Sequence, residues 1–469
     1  MGRLLTTTLS IALVGGFTAT AQADTRVKAM GEFGLTTAGR YESYLDGGMG
    51  KLRFGSDDEG MQLFGGFLQV ENDFGALWNS VISIDINDQL ENPVGFTEAL
   101  LRYRPLPIRG MRFRGKLGLF RPPISFEHSA DGWATRYTIQ ASALNSWVGE
   151  ELGAYGFEAS VSNDRASGSE LDWGLKAAVF YGNDPVGTML AWRGWSPNNV
   201  QTRPGDKIPF ADPVDIVPVQ WSQAEPNLRI DKRLFGYPTG SGDKIPFSDH
   251  SGPGQPDPGP DPGQPDPGQP DPGQYDITSV RPSQAEPYLE IDNRPGYYIA
   301  ADLGVPQRVR LRLMHYDNRA DPEISKHGQY AWRTVFNSVG FQTELPFGVG
   351  LIGQYMWGRS YMGPKSGNER AVDIDFDAKF VLLTKVLGEN RFSVRREWFA
   401  VDDNDGRDFD PNGESLRGWT LSYQRQVTPN WRVAFEWLEV EGTRDARELV
   451  GLQRNGTEDA LYATLRWSR

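Results

Sequence analysis

The chain has 469 residues, of which 38% are apolar and 12% aromatic; its net charge is −13 and it contains no cysteine. No apolar run after the N-terminus reaches the roughly 18 residues a helix needs to cross a bilayer, so no helical membrane span is expected. Disulfides are excluded as a source of stability, and the acidic balance argues against a nucleic-acid partner.

The N-terminus reads as a secretory signal. Arg3 supplies the positive end, Leu4 to Phe17 is an apolar and Thr/Ser/Gly stretch, and Ala21-Gln22-Ala23 is an A-x-A site. This predicts cleavage after Ala23, removing residues 1–23 and leaving a mature chain of 24–469. Loose alternation over 26–38 marks a first strand. Gln62 to Glu71 sets Phe64, Gly66, Leu68 and Val70 against Leu63, Phe67, Gln69 and Glu71. A turn composition follows at Asn72-Asp73-Phe74-Gly75. Then Trp78, Ser80, Ile82, Ile84 and Ile86 oppose Asn79, Val81, Ser83, Asp85 and Asn87, which predicts a hairpin.

The next strand carries Ala99, Leu101 and Tyr103 outward and Glu98, Arg102 and Arg104 inward, and Pro105-Leu106-Pro107 closes it. Beyond it, Met111, Phe113, Gly115, Leu117 and Leu119 alternate with Arg112, Arg114, Lys116, Gly118 and Phe120. Period two places the two sets on opposite faces of a strand. Oil on one face and positive charge on the other is the pattern of an outer-membrane barrel wall, with lipid outside and a wet lumen inside. An edge strand with a basic solvent side would show the same alternation. Arg121 falls out of phase and joins the basic row only if the chain bulges or turns near Phe120.

Residues 122–149 are not strand-like, and Ile139 to Trp147 suits a short helix. Here the segment Gly118 to Glu127, GLFRPPISFE, resembles the G-x-F-x-x-P-x-S-x-E segment of the phosphate-selective porin O and P family. Asn145 to Glu150, NSWVGE, is in keeping with porin-like relatives of that family. The resemblance covers one segment of some tens of residues plus the strand layout. It implies a channel of 16 strands, often trimeric, with a basic lumen for anions. It carries over Phe120, Pro123, Ser125 and Glu127 as motif positions that turn the chain at the rim.

Leu152 to Ser160 and Leu171 to Tyr181 form another strand pair around Asn163 to Ser169. The pattern then stops between 183 and 294, a Pro-, Gly- and Asp-rich stretch that reads as one very long loop. GDKIPFAD at Gly205 to Asp212 returns as GDKIPFSD at Gly242 to Asp249, and SQAEPNLRID at Ser222 to Asp231 returns as SQAEPYLEID at Ser283 to Asp292. A loop unit was therefore duplicated, and a DPGQP array at 251–274 grew inside the second copy. Such a tract cannot bury a core and is expected to be extended or disordered. Its regularly spaced Asp residues do not converge as calcium ligands would.

Alternation resumes at Tyr297 to Leu303. Val309, Leu311 and Leu313 then face outward against a second basic row, Arg308, Arg310 and Arg312. Tyr330 to Glu344 changes phase near Ser338, which predicts a bulge. Further on, Val372, Ile374, Phe376, Ala378, Phe380 and Leu382 oppose Asp373, Asp375, Asp377 and Lys379, and the acidic row is read as lumen wall. Strands follow around Arg391 to Glu397, Trp419 to Tyr423 and Trp431 to Trp437, and the last alternates from Leu461 to Trp467.

The expected fold is all-β: a transmembrane antiparallel barrel of about 16 strands, within a range of 16 to 18. The expected function is passive diffusion of small polar solutes through the bacterial outer membrane. Anions or zwitterions would follow Arg102, Arg104, Arg112, Arg114, Lys116, Arg121, Arg308, Arg310 and Arg312. Asp373, Asp375 and Asp377 would face them across the lumen. Outer-membrane lipid and a possible homotrimer are the expected partners; no cofactor, metal or nucleic acid is expected. A secreted soluble β protein or adhesin is one alternative, and a barrel enzyme built around Ser125, Glu127 and His128 another, although sequence spacing alone shows no convergence of those three.

Overall fold

The structure is a computed structural model that describes residues 24–163, 170–211, 282–306, 308–326, 328–366, 369–407 and 410–469. Its main element is one closed antiparallel barrel of sixteen strands, each paired with its neighbours in the chain and the first paired with the last. The first eight are β1 (Asp24–Thr36), β2 (Gly60–Phe74), β3 (Trp78–Ile86), β4 (Val94–Tyr103), β5 (Met111–Phe120), β6 (Ala154–Asn163), β7 (Asp172–Tyr181) and β8 (Gly296–Val305). The rest are β9 (Val309–Asp317), β10 (Arg333–Leu345), β11 (Val349–Ser366), β12 (Glu369–Leu387), β13 (Asn390–Asp403), β14 (Glu414–Gln426), β15 (Trp431–Arg444) and β16 (Asn455–Ser468). β1 and β16 close the sheet, with Met30 opposite Ser468 and Thr36 opposite Tyr462. Closure leaves no row of unpaired backbone groups, which is what a sheet needs in lipid. Among the described residues no helix is long and apolar enough to cross a membrane.

The connections sort by side. Those after even-numbered strands, such as 75–77, 306–308, 346–348, 388–389 and 427–430, are short. The long ones, 37–59, 121–153, 182–295 and 318–332, all follow odd-numbered strands. Outer-membrane barrels show this asymmetry, with short turns on the periplasmic side. Exposed apolar side chains, among them Phe33, Ile82, Phe113, Leu175, Leu313 and Val381, band the outer wall. Trp78 and Tyr103 pack at a tilt near the turn side and Tyr355 and Trp357 stack nearer the loop side, with ring centroids 4.8 and 4.9 Å apart. They sit where the aromatic girdles of a membrane barrel belong.

The inside changes character along the barrel axis. Near the short turns it is polar and open. Toward the loops it is filled by connections that fold inward. α1 (Ala143–Glu151) lies within the barrel with all its residues buried. It begins at Ala143 rather than Ile139 because Ser142 takes the N-cap, its Oγ accepting from the Asn145 amide at 3.3 Å. Trp147 packs on Trp195, Phe336 and Phe376 with centroids 5.7, 5.6 and 5.4 Å away. α2 (Thr188–Trp192) is a second buried turn in the same core.

Three strand expectations are corrected. β10 has no bulge at Ser338, since it pairs in unbroken register with β9 and β11. Its apolar residues change sides because Phe336 packs inward on α1 while Phe341, nearer the turn, faces outward. β2 does carry an irregularity: its register against β1 shifts beside Gly65, whose φ is +137°, and Phe64 turns inward instead of sharing the face of Leu68. The acidic row of β12 is the third: it faces outward, while its alternates Ile374, Phe376 and Ala378 are buried.

Residues 1–23 and the 251–274 array lie outside the described residues. Of the duplicated unit, Ile208–Pro209 from the first GDKIPF copy pair with Gln284–Ala285 from the second SQAEP copy. Because Trp147 holds the inner core and touches no lipid, Trp147→Ala should destabilise that core by about 3–5 kcal/mol. Amide exchange should rise sharply over 143–151, while the unboiled barrel keeps its gel mobility.

Candidate functional site

On the turn side the lumen opens into a cavity of about 820 Å³, whose wall includes Arg112, Arg114, Lys176, Asp302, Arg308 and Arg310. One carboxylate serves three cations there: Asp302 lies 2.8 Å from Lys176, 2.8 Å from Arg312 and 3.3 Å from Arg310. The cluster is thus left with net positive charge. Lys116 is inward as expected, 3.2 Å from Glu158 and 4.5 Å above the Phe120 ring. Arg102 stands 3.9 Å from Glu71 and Arg104 2.5 Å from Asp73. These pairs are partly exposed and solvent-screened, so they position the side chains more than they stabilise the fold.

Arg121 leaves the row by the route its phase demands. β5 is irregular at Gly118, with φ +133°, and the chain then turns into the lumen. The buried Arg121 donates from Nη2 to the carbonyls of Gly149 and Thr202, both at 2.9 Å, and lies 5.1 Å over the Trp133 ring. Its Nε and Nη1 have no hydrogen-bond partner among the described residues. Arg121, Glu98, His128, Arg310 and Arg312 line a second cavity of about 300 Å³. Arg312 also donates to the Pro123 carbonyl at 2.6 Å, which ties the folded-in segment to β9.

The remaining motif positions anchor that segment inside the barrel rather than turning it at a rim. Phe120 is buried at the end of β5. Ser125 Oγ accepts from the amides of Glu127 and His128, both at 3.1 Å. Glu127 is fully buried: it accepts from Ser142 and from Asn145 Nδ2 at 2.6 Å, and its other oxygen meets Arg395 of β13 at 3.0 Å. His128 lies 2.8 Å from Ser125 and stacks on Trp133 at 3.5 Å. The Glu127 carboxylate is committed elsewhere, so the three do not form a relay. Burial, with Arg121 and Arg395 nearby, holds the imidazole well below its ordinary pKa and therefore neutral.

The folded-in segments carry further buried ion pairs that alternation could not reveal. Lys51 pairs with Glu414, Arg193 with Glu150, and Arg203 with Asp206. Carboxylates and amides this far from water cost energy unless fully bonded. The first ties a connection to the wall, the second joins two connections, and the third lies within one connection that Arg203 also fastens to the Asp85 carbonyl of β3 at 3.3 Å.

Asp373, Asp375 and Asp377 do not line the lumen. Their alternates Ile374, Phe376 and Ala378 are buried against the inner core. Asp375 and Asp377 stand opposite the outward residues Arg359 and Trp357 of β11. Asp373 is held by Arg359 at 2.7 and 2.5 Å. The acidic row therefore faces outward on the loop side, and no transverse field crosses the lumen from it. Alternation separates two faces without saying which is inside, and here the apolar face belongs to the filled lumen.

No family model and no curated protein matches the chain. Among solved structures, its fold is similar to the outer membrane channel DcaP of Acinetobacter baumannii, at 10% identity and a TM-score of 0.50, over 97% of this chain and 100% of that one. It is also similar to an anion-selective porin from Comamonas acidovorans, at 9% identity and a TM-score of 0.46, over 96% and 100% of the two chains. OprB of Pseudomonas putida aligns at 10% identity and a TM-score of 0.44, over 95% and 94%. The likeness is one of fold, to outer-membrane porin barrels as a group, and does not single out the phosphate-selective family.

Two predictions follow from the buried charges. Removing Arg395 strands Glu127 and Glu397, so Arg395→Ala should cost about 3–5 kcal/mol of inner-core stability, read as amide exchange over 121–153. Burial pushes the Glu151 carboxyl up to about 7, partly offset by the Met189 amide, the Trp147 indole and the Gly187 amide. A carboxyl raised on folding favours the folded state below its ordinary range, and that contribution is lost as pH rises to about 7. Burial lowers Lys51 to about 7, so its own loss lies above that pH, as pH falls from the ordinary lysine range. Protection of α1 amides, corrected for intrinsic exchange, should fall between pH 4.5 and 7 and change less in Glu151→Gln.

Proposed function

We propose that the chain is an outer-membrane channel for small polar solutes with a preference for anions, entered from the turn side through the basic vestibule. The observation that carries this reading is the set of Arg112, Arg114, Arg308 and Arg310 around one turn-side opening, with Asp302 joining Arg310 to the buried Arg312 behind it. A wet, positively lined cavity inside a low-dielectric wall concentrates anions. Arg121 continues the positive path inward. In this conformation the loop-side half is filled, so passage requires the folded-in connections to move. The mature chain begins after Ala23 and lodges in outer-membrane lipid. A homotrimer, which the sequence resemblance implies, belongs to the same reading.

The apolar band around the outer wall weighs against a secreted soluble protein, for which such a surface is an aggregation hazard. The commitment of Glu127 to Arg395 and Ser142 weighs against an enzyme at Ser125 and His128.

In planar bilayers the wild-type chain should show anion over cation permeability. The triple variant Arg112→Gln, Arg114→Gln and Arg310→Gln should lower that ratio severalfold with the barrel intact. An unchanged ratio would contradict the assignment of these residues.

A further inference from the structure

One group of charges faces neither the lumen nor bulk water. Arg396 of β13 points outward, between the lipid-facing Val394 and Trp398 of its own strand. Across the sheet it stands opposite Val381 of β12 and Trp419 of β14. Its guanidinium lies 4.7 Å from the Trp419 ring and 5.4 Å from the Trp398 ring. One nitrogen donates to the Gly418 carbonyl at 3.3 Å. Among the described residues no carboxylate lies within ion-pair distance of it.

The neighbouring row repeats the pattern. Tyr355, Lys379, Trp398 and Arg417 follow one another across β11 to β14. Lys379 is 5.7 Å from the Tyr355 ring and has no ion-pair partner among the described residues, whereas Arg417 pairs with Glu441 at 2.5 Å. Asp377 and Asp375 follow Lys379 toward the loop side, and Glu439 stands across Trp419 from Arg396. Toward the turns the outward residues Val381, Leu383, Val394 and Leu421 are apolar and exposed, and charge returns at Lys385 and Arg425 near the turn ends of β12 and β14. The cations thus mark the place where the apolar band ends.

A charge on the lipid face of a barrel is tolerated only near the interface, where aromatic side chains gather and headgroups supply counter-charge. A guanidinium is suited to phosphate by its planar fork of donors, and it can stack on an indole while keeping those donors free. We infer that Arg396 and Lys379, framed by Tyr355, Trp398 and Trp419, bind the phosphate group of a lipid in the loop-side leaflet. This rests on the outer-membrane reading above, which makes that leaflet the outer one. The site holds lipid at a fixed place on the wall and plays no part in permeation.

The test is native mass spectrometry of the full chain, delipidated in detergent and mixed with a bisphosphorylated glycolipid or the same glycolipid without phosphates. The wild type should retain the phosphorylated lipid preferentially. Arg396→Gln combined with Lys379→Gln should lower that retention about tenfold, while Arg310→Gln in the lumen should leave it unchanged. Retained heat-modifiable gel mobility shows that each variant is folded. Equal retention by variant and wild type, or no preference for phosphate, would overturn the site. Disulfide-linked dimers of Trp398→Cys in membranes would also overturn it, assigning this face to a second copy of the chain. Recovery of the wild type outside the membrane fraction would overturn the channel reading itself, which lipid binding that ignores phosphate would not.

Discussion

The guanidinium of Arg395 is where wall and contents of the barrel meet. It is fully buried, pairs with Glu127 at 3.0 Å and Glu397 at 3.1 Å, and donates to the carbonyls of Gln140 and Ala141 at 2.9 and 3.0 Å. Glu397 in turn accepts from the Ala143 amide at 2.7 Å, and Glu127 from the capping Ser142. One strand side chain therefore fixes the start of α1 and the segment leading into it. A charge buried this deeply is tolerable only because every direction around it holds an acceptor. The 121–153 connection has no sheet of its own to settle into, and these bonds give it a single place inside the barrel.

That placement decides the polarity of the whole inner surface. A barrel with an open lumen needs inward polar residues at every level. Here the loop-side half has contents, so Phe336, Phe376 and Trp147 form an ordinary apolar core there. The basic vestibule is confined to the turn side. Outside, the order is reversed: apolar residues lie toward the turns and charged ones such as Asp375 and Arg359 toward the loops. Apolar and polar faces thus exchange partway along β10 and β12 with the register unbroken at those levels; the shift in the β11–β12 pairing, between Met362 and Lys365, lies at its loop end.

Much of the wall was legible from alternation alone. β5 shows it best: Phe113 and Leu117 face out, and Arg112, Arg114 and Lys116 line the inside, as period two requires. The hairpin of β2 and β3 and the basic face of β9 were equally readable. The β12 acidic row was not, because period two is symmetric between inside and outside, and the rule that polar means lumen fails where the lumen is filled. The change of phase in β10 looked like a bulge for the same reason. Glu127 and Ser125 stood out by resemblance; Ser125 bonds locally to residues 127 and 128, but the task of Glu127 depended on Arg395, more than two hundred residues away, and no local pattern encodes that contact. Lys51 and Arg193 were likewise invisible, being single charges in irregular connections whose partners, Glu414 and Glu150, are set by tertiary folding.

The central claim is that the lumen is wet on the turn side and filled on the loop side. The natural absence of cysteine makes this directly measurable. Ser162→Cys lies in the vestibule and Ala460→Cys beneath the inner core. Each variant, reconstituted in a bilayer, would be exposed from either side to a charged, membrane-impermeant thiol reagent. The structure predicts rapid labelling of Ser162→Cys from the turn side and none of Ala460→Cys from either side. Labelling of Ala460→Cys as fast as that of Ser162→Cys would mean an open lumen throughout and would contradict the account.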